Sequence, residues 1–284
     1  MPTSLPGQEA LVVTCSRARL HGWKSHPGRA AGETKPTLVF LHFFGGSSRT
    51  WEPVAAELAL EYPCVALDLR GYGETEVTEA GGETASYSLD LTAADVVEAI
   101  THLGLREYVL VGHSMGGKVA LALAAGQGCP EGLRALALVA PSPASPEPMP
   151  DEERSRLLAG YCSADAARET LSKITAAPLP QSLVDKVVAD EVRAAYPAWH
   201  AWLERGSIAD ISARLTRVRV PVHLLAGEKD ANITARLLKR EVAAYLSAEF
   251  ARDVETVPDA AHLLPLEAPA AVADFVRRAA SNGR

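Results

Sequence analysis

An α/β chain, with a mostly parallel central sheet flanked by helices and a helical insertion past its middle, is predicted by three observations. Short β-branched runs alternate with longer stretches of helical period, the pattern left by crossover connections between parallel strands. The alternation breaks once, between about residues 141 and 210, where the proline-rich "PSPASPEPMPDEE" leads into helical stretches without a strand. With 284 residues, 48% of them apolar, the chain can bury a large core as one domain carrying an insertion. The expected organisation is a core of residues 1–140, a helical insertion over 141–210 and a resumed core over 211–284.

"ALVVTC" and "ARLHGWKS" form an opening antiparallel pair, and the glycine and proline of "HPGRAAGETKP" make a loop before "TLVFLH", a buried strand. "RTWEPVAAELALEY" is helical in period, and "PCVALDLRG" returns as a strand. "SLDLTAADVVEAITHLGL" opens a helix at Ser88, with Asp90 near its positive end. "EYVLVGH" is a strand, "MGGKVALALAAG" a helix closed near Gly126, and "GLRALALVA" a further strand. After the insertion, "VPVHLLAGEKD" resumes strand and loop. The close is helix "TARLLKREVAAYL", strand "ARDVETVP", loop "DAAHLLPLEAP" and helix "AAVADFVRRAA".

Composition narrows the function. A formal charge of -7 and a pI near 5.7, with charges scattered along the chain, argue against nucleic acid as a partner and toward a small molecule. No stretch approaches the ~20 apolar residues that span a bilayer, and "MPTSLPGQEA" has neither a basic cluster nor an apolar signal core. No membrane association and a cytoplasmic location are therefore expected. Cys15, Cys64, Cys129 and Cys162 show no metal-finger or CxxC spacing and read as buried free thiols, with no metal site. The oligomeric state is left open.

The chemistry centres on "VGHSMGG", residues 111–117. A serine held between a strand and a helix turns the chain sharply and presses its neighbours two residues away against each other, and Gly112 and Gly116 are small enough for that. Ser114 then stands clear of the sheet at a helix N-terminus, where negative charge is favoured. A serine hydroxyl needs a base, and the base needs an acid to fix its tautomer. Reactive side chains of an open parallel sheet come from the loops after the strands. The loops after the later strands offer His262 in "VPDAAH" as base, and Glu228 or Asp230 in "GEKD" as acid. Asp230 is preferred because it lies deeper in its loop. His102, His200, His223, His21 and His26 fall in a helix, the insertion, a strand and the first hairpin, and read as structural. An oxyanion would be met by the backbone N–H of Met115 and by one from "HFFGGSS", with Phe44 the choice and His42 bracing the loop. Aromatic surface from Phe43, Trp199 and Trp202, together with His113 beside the serine, makes these four the candidate substrate contacts. Met149, Tyr161 and Tyr196 are further apolar residues of the insertion.

The stretches "FLHFFGGSSRTW", "VALDLRGYGET", "VGHSMGG", "LLAGEKD" and "VPDAAHLLPLEAP" resemble, in order and separation, the α/β-hydrolase superfamily and its cap-bearing, serine esterase-like branch. The resemblance implies the α/β-hydrolase fold with a cap between the sixth and seventh core strands. It also implies nucleophile Ser114, acid Asp230, base His262, oxyanion amides of Phe44 and Met115, and no cofactor. Phe43 departs from the family's usual glycine before the oxyanion residue. Dehalogenases and epoxide hydrolases of the superfamily carry an aspartate nucleophile, so Ser114 directs the expectation to acyl chemistry on an ester through an acyl-enzyme. The related branch also holds lactonases, carbon-carbon bond hydrolases, lyases and cofactor-free perhydrolases with the same three residues, and the superfamily includes hydrophobic-ligand receptors.

Overall fold

The computed structural model describes residues 7–27, 35–78, 84–126 and 131–281. The sheet begins with β1 (Glu9–Thr14) and β2 (Ala18–Ser25), the expected antiparallel pair, in register from Glu9 opposite Lys24 to Thr14 opposite Arg19. The remaining long strands are β3 (Thr37–Leu41), β4 (Cys64–Leu67), β5 (Tyr108–His113), β6 (Leu133–Val139), β7 (Val222–Gly227) and β8 (Ala251–Val257). Their order across the sheet is β1-β2-β4-β3-β5-β6-β7-β8, antiparallel up to β4 and parallel thereafter. A two-residue ladder at Glu76–Val77, which the sequence does not signal, adds to the edge of β2. Leu38, Val39, Phe40 and Leu41 of β3 are all buried, as an unbroken apolar run requires when helices cover both faces.

The helices joining these strands are α1 (Glu52–Leu58), α2 (Leu89–His102) and α3 (Met115–Ala124). Ser88 opens α2 as expected, its hydroxyl accepting from the amide of Leu91. The strand expected over 63–71 ends at Leu67, and three helix and loop boundaries shift as well. The helix expected over 49–62 divides into a 3-10 turn (Ser48–Trp51) and α1, because Pro53 can stand only in the first turn of a helix. The helix expected over 234–246 stops at Glu241, where Val242 leaves helical geometry. The loop expected over 259–269 contains one helical turn, Leu264–Glu267.

Between β6 and β7 the described residues form no strand but four α-helices, α4 (Asp151–Ala159), α5 (Ala164–Ile174), α6 (Gln181–Val192) and α7 (Tyr196–Ala201), followed by a π-helical turn (Trp202–Gly206) and a 3-10 helix (Ser212–Arg217). The two stems of this segment are joined by two backbone bonds, Glu147 N–H to Ser207 O at 2.9 Å and Ile211 N–H to Ala144 O at 2.8 Å. Lys118, fully buried on α3, donates through Nζ to both stems, to Ser145 O and Ser207 O, each at 3.2 Å. Burial pushes its ammonium down to about 8, and the nearby Glu147 and Asp210 only partly oppose this. After β7 come α8 (Ala235–Glu241), the turn α9 (Leu264–Glu267) and α10 (Pro269–Ser281), which buries Val272, Phe275, Val276 and Ala279. Cys15 and Cys64 are buried as expected, but Cys162 is exposed, in the turn between α4 and α5 with φ 59°. Cys129, residues 1–6 and most of the loop expected after β2 lie outside the described residues.

Candidate active site

β5 delivers the chain to Ser114, which takes φ 50° and ψ −114° before α3 begins at Met115. Such a conformation costs a non-glycine residue of order 1–3 kcal/mol and persists only where its surroundings over-determine it. Here backbone bonds on both sides of the serine do so. Ser114 N–H donates to Val139 O at 3.1 Å, Ser114 O accepts from Gly117 at 2.9 Å and Ser142 at 3.0 Å, and Gly116 N–H donates to His42 O at 3.1 Å. The flanking glycines are steric necessities. A Cβ on Gly112 would stand 2.6 Å from Gly116 O, and one on Gly116 would stand 2.4 Å from Leu41 O.

Two later loops close on the serine. His262 follows β8, and its Nε2 lies 3.0 Å from Ser114 Oγ. Asp230 follows β7, and its Oδ2 lies 2.7 Å from His262 Nδ1. The other oxygen of Asp230 accepts from the amides of Asn232 and Ile233, both at 2.9 Å. Burial raises the Asp230 carboxyl, but the His262 charge, its hydrogen bond and the two amides outweigh this and hold it below its usual range. His262 shows the reverse balance: burial lowers it, and the charge and hydrogen bond of Asp230 carry it above the ordinary imidazole value. Glu228, the other acidic candidate, is exposed, and among the described residues its carboxylate accepts one hydrogen bond, from the Thr256 hydroxyl at 3.4 Å.

The loop after β3 is braced from behind by His42, as expected. Leu69 N–H donates to His42 Nε2 at 2.9 Å, which leaves the proton on Nδ1 to donate to Phe43 O at 2.7 Å. Burial lowers His42 and keeps it neutral in this role. Among the described residues, the amides of Phe44 and Met115 donate to no acceptor; for Met115, the first residue of α3, that is the normal state of a helix start.

Ser114 and His262 open into a cleft of about 930 Å³, its mouth included. Phe43, Phe44, Met149, Trp199 and Trp202 line it. Three residues named from the sequence stand elsewhere. His113 is buried behind the site and makes no wall of the cleft: its Nε2–H donates to His262 O at 2.8 Å, so it touches the residue that approaches Ser114. Burial first, then the His262 charge, drives His113 down to about 3, which keeps it neutral. Tyr161 bonds Ala194 O instead, and Tyr196 is 55% exposed. No sequence motif marks Glu147, Glu153 or Glu191, which also line the cleft. Leu171 and Ile174 line it too, and the apolar stripe of α5 could have pointed to them.

The sequence profile of the alpha/beta hydrolase family matches residues 38–275. The chain belongs to the alpha/beta hydrolase family. Among curated members, this hydrolase is 31% identical to 2-succinyl-6-hydroxy-2,4-cyclohexadiene-1-carboxylate synthase of Salmonella arizonae over 253 residues, covering 84% of the chain and 91% of the synthase. It is 42% identical to epoxide hydrolase 4 of Mus musculus over 96 residues, covering 34% of the chain and only 26% of that relative's length. Among solved structures, the carboxylesterase CesB from Bacillus subtilis superposes with a TM-score of 0.78 at 24% identity, covering 98% of the chain and 92% of the carboxylesterase. The hydrolase thus has the α/β-hydrolase fold with esterase-like structural relatives, and among the described residues no helix is long and apolar enough to cross a membrane.

Proposed function

We propose that the protein cleaves ester-type bonds of small, largely apolar substrates through an acyl-enzyme on Ser114. The carrying observation is the continuous chain Ser114 Oγ to His262 Nε2 to His262 Nδ1 to Asp230, at 3.0 and 2.7 Å, opening onto an apolar cleft. In this reading His262 Nε2 takes the Ser114 proton as Oγ attacks the carbonyl. Asp230 fixes the tautomer and stabilises the imidazolium, and the free amides of Phe44 and Met115 receive the oxyanion. His262 returns the proton to the departing alcohol and then activates the water that releases the acid. Residues 141–210 act as the cap over this cleft, and the protein works in the cytoplasm on a small-molecule substrate without a cofactor. A serine at this position favours acyl transfer over the chemistry of epoxide hydrolase 4.

The test is an organophosphonate probe, which traps an activated serine as a tetrahedral adduct. Wild type is expected to carry the adduct on Ser114 and to turn over aryl esters, and Ser114→Ala to lose both. Peptide mapping that places the adduct on Ser142 or Ser145 would overturn the assignment.

A second reading comes from the synthase, whose alignment spans most of both chains. Its product, by name, bears a carboxylate and a succinyl group. The described residues lining the cleft here include three glutamates and no lysine or arginine, a poor fit for an anion, so the ester reading is preferred.

Within that reading, Trp202 shapes the acyl pocket. Trp202→Ala is expected to change the kcat/KM ratio of long to short acyl esters several-fold, more than it changes the rate at which a small phosphonate labels Ser114. An unaltered chain-length profile would mean that the ring serves only the packing between the inserted helices and the core.

A further inference from the structure

Five carboxylates are buried among the described residues, and four have clear partners. Asp68 accepts from the amides of Ser48 and Glu74, Asp95 is paired with Arg70, Asp190 with Ser47, Arg49 and Arg193, and Asp230 with His262. Glu191 of α6 is the exception: it is 8% exposed, faces the cleft, and its carboxyl makes no hydrogen bond to any described residue. Leaving a buried carboxyl unpaired is costly, and buried charges are ordinarily paired. The missing partner has one open direction, the cleft itself.

The surroundings specify its chemistry. A Cβ placed on Gly45 would lie 3.2 Å from Glu191 Cγ and 3.4 Å from Trp199 Cζ3, so the glutamate stem, the Trp199 ring and the loop carrying Phe44 meet at one point. Phe44 stands 4.3 Å from Trp199 and 6.4 Å from Trp202 between ring centroids, giving a continuous aromatic wall. Aromatic faces beside an unpaired carboxylate form a site for a cation. We propose that Glu191 is a specificity determinant that pairs with a quaternary or protonated ammonium group on the substrate, held against the Phe44 and Trp199 rings. This rests on the ester-cleaving reading above and names its substrate class: apolar esters with a cationic end.

Proton linkage gives the inference a signature. Burial raises Glu191 to about 7, only partly opposed by Arg156, so the free carboxyl is ionised above that pH and neutral below it. The charged groups facing it are Arg156 and Glu153 of α4, which pair with each other, Glu147 on the stem and His262 across the cleft. Asp190, its neighbour on α6, turns away to Ser47 and the two arginines.

The experiment compares two 4-nitrophenyl esters of equal shape, 4-(trimethylammonio)butyrate and its carbon isostere 5,5-dimethylhexanoate. The ratio of their kcat/KM values cancels the shared dependence on His262. In wild type at pH 8 the cationic ester is expected to be favoured by about tenfold or more, with the ratio falling as pH drops through 7. Glu191→Gln should collapse the ratio and flatten its pH dependence. A pH-independent ratio near one in wild type overturns the inference, as does a ratio retained by Glu191→Gln. Calorimetric binding of benzyltrimethylammonium separates this from the ester reading. Binding to wild type at pH 8, weakened at pH 5.5 and in Glu191→Gln, upholds the cation site even if neither ester turns over, in which case the ester reading alone fails. Equal binding to both proteins removes it. A folding control is built in: a carboxyl raised by burial loses stability as pH rises through 7, so Glu191→Gln should melt higher than wild type at pH 8 and close to it at pH 5.

Discussion

Asp230→Asn is expected to lower turnover of an aryl ester by about 10⁴-fold, the loss that follows when the acid of a serine-protease triad becomes its amide. Glu228→Gln is expected to change it by no more than a few fold. The asymmetry follows from geometry: Asp230 Oδ2 is 2.7 Å from His262 Nδ1, whereas the Glu228 carboxylate accepts from the Thr256 hydroxyl at 3.4 Å. An amide at residue 230 can offer its NH₂ to Nδ1 and so stabilise the tautomer whose proton sits on Nε2, facing Ser114, where a base must have its lone pair. The pH profile carries a second signature. Burial lowers His262, the charge and hydrogen bond of Asp230 outweigh it, and the net value lies above the ordinary 6.5. Only the neutral base accepts the serine proton, so kcat/KM should fall as pH drops through that raised value. In Asp230→Asn the raising causes are gone, and the acidic limb should move to lower pH while the plateau drops. Kinetics and melting temperatures of both variants decide the matter. A crippled Glu228→Gln beside an active Asp230→Asn would transfer the role to Glu228.

Arg70→Met is expected to cost about 3–5 kcal/mol, because it leaves the Asp95 carboxylate buried and unpaired. The pair is closed on both sides, with side-chain exposures of 0% and 1%. Arg70 Nε and Nη2 meet the two Asp95 oxygens at 2.6 and 2.8 Å, and Nη1 adds a bond to Ser86 O at 3.1 Å. At roughly 2–4 °C per kcal/mol for a chain of this size, the melting temperature should fall on the order of 10 °C. Arg70→Met combined with Asp95→Leu should recover much of that loss, since no charge is then stranded. Thermal melts of the three variants test this, and a single variant that melts with wild type would refute it. Activity should suffer alongside. Arg70 follows Leu69, whose amide holds His42 and, through it, the loop that carries Phe44.

The strands and the sharp turn at Ser114 were legible because they rest on local pattern: apolar runs such as "TLVFL", and two glycines where any side chain would strike backbone. The convergence of Asp230 and His262 on Ser114 was legible because chain order restricts such groups to the loops after strands. What stayed hidden depends on distant contact. His113 looked like a substrate contact because it adjoins Ser114, yet its partner is His262, 149 residues away. Glu191 sits beside Asp190 on an unremarkable helix, and only folding turns one to the arginines and the other to the cleft. The early end of α8 and the helical turn at Leu264–Glu267 are settled by packing around them, where propensity is weak.

The paired stems of the inserted helices have a consequence for how this scaffold can change. Between Glu147 and Ser207 the chain leaves and returns through two points bonded to each other and jointly gripped by Lys118. To the sheet below, such an excursion is equivalent to a short turn, whatever its length, because closure entropy grows only logarithmically and a doubling costs about 0.6 kcal/mol. The segment above the clamp is therefore an exchangeable part: helices could be lengthened, trimmed or grafted from another protein at these two points while Ser114, His262 and Asp230, all anchored in core loops, keep their places. His262 N–H, bonded to Ile174 O at 3.0 Å, ties that triplet to the part being exchanged, and a graft would have to tie it again.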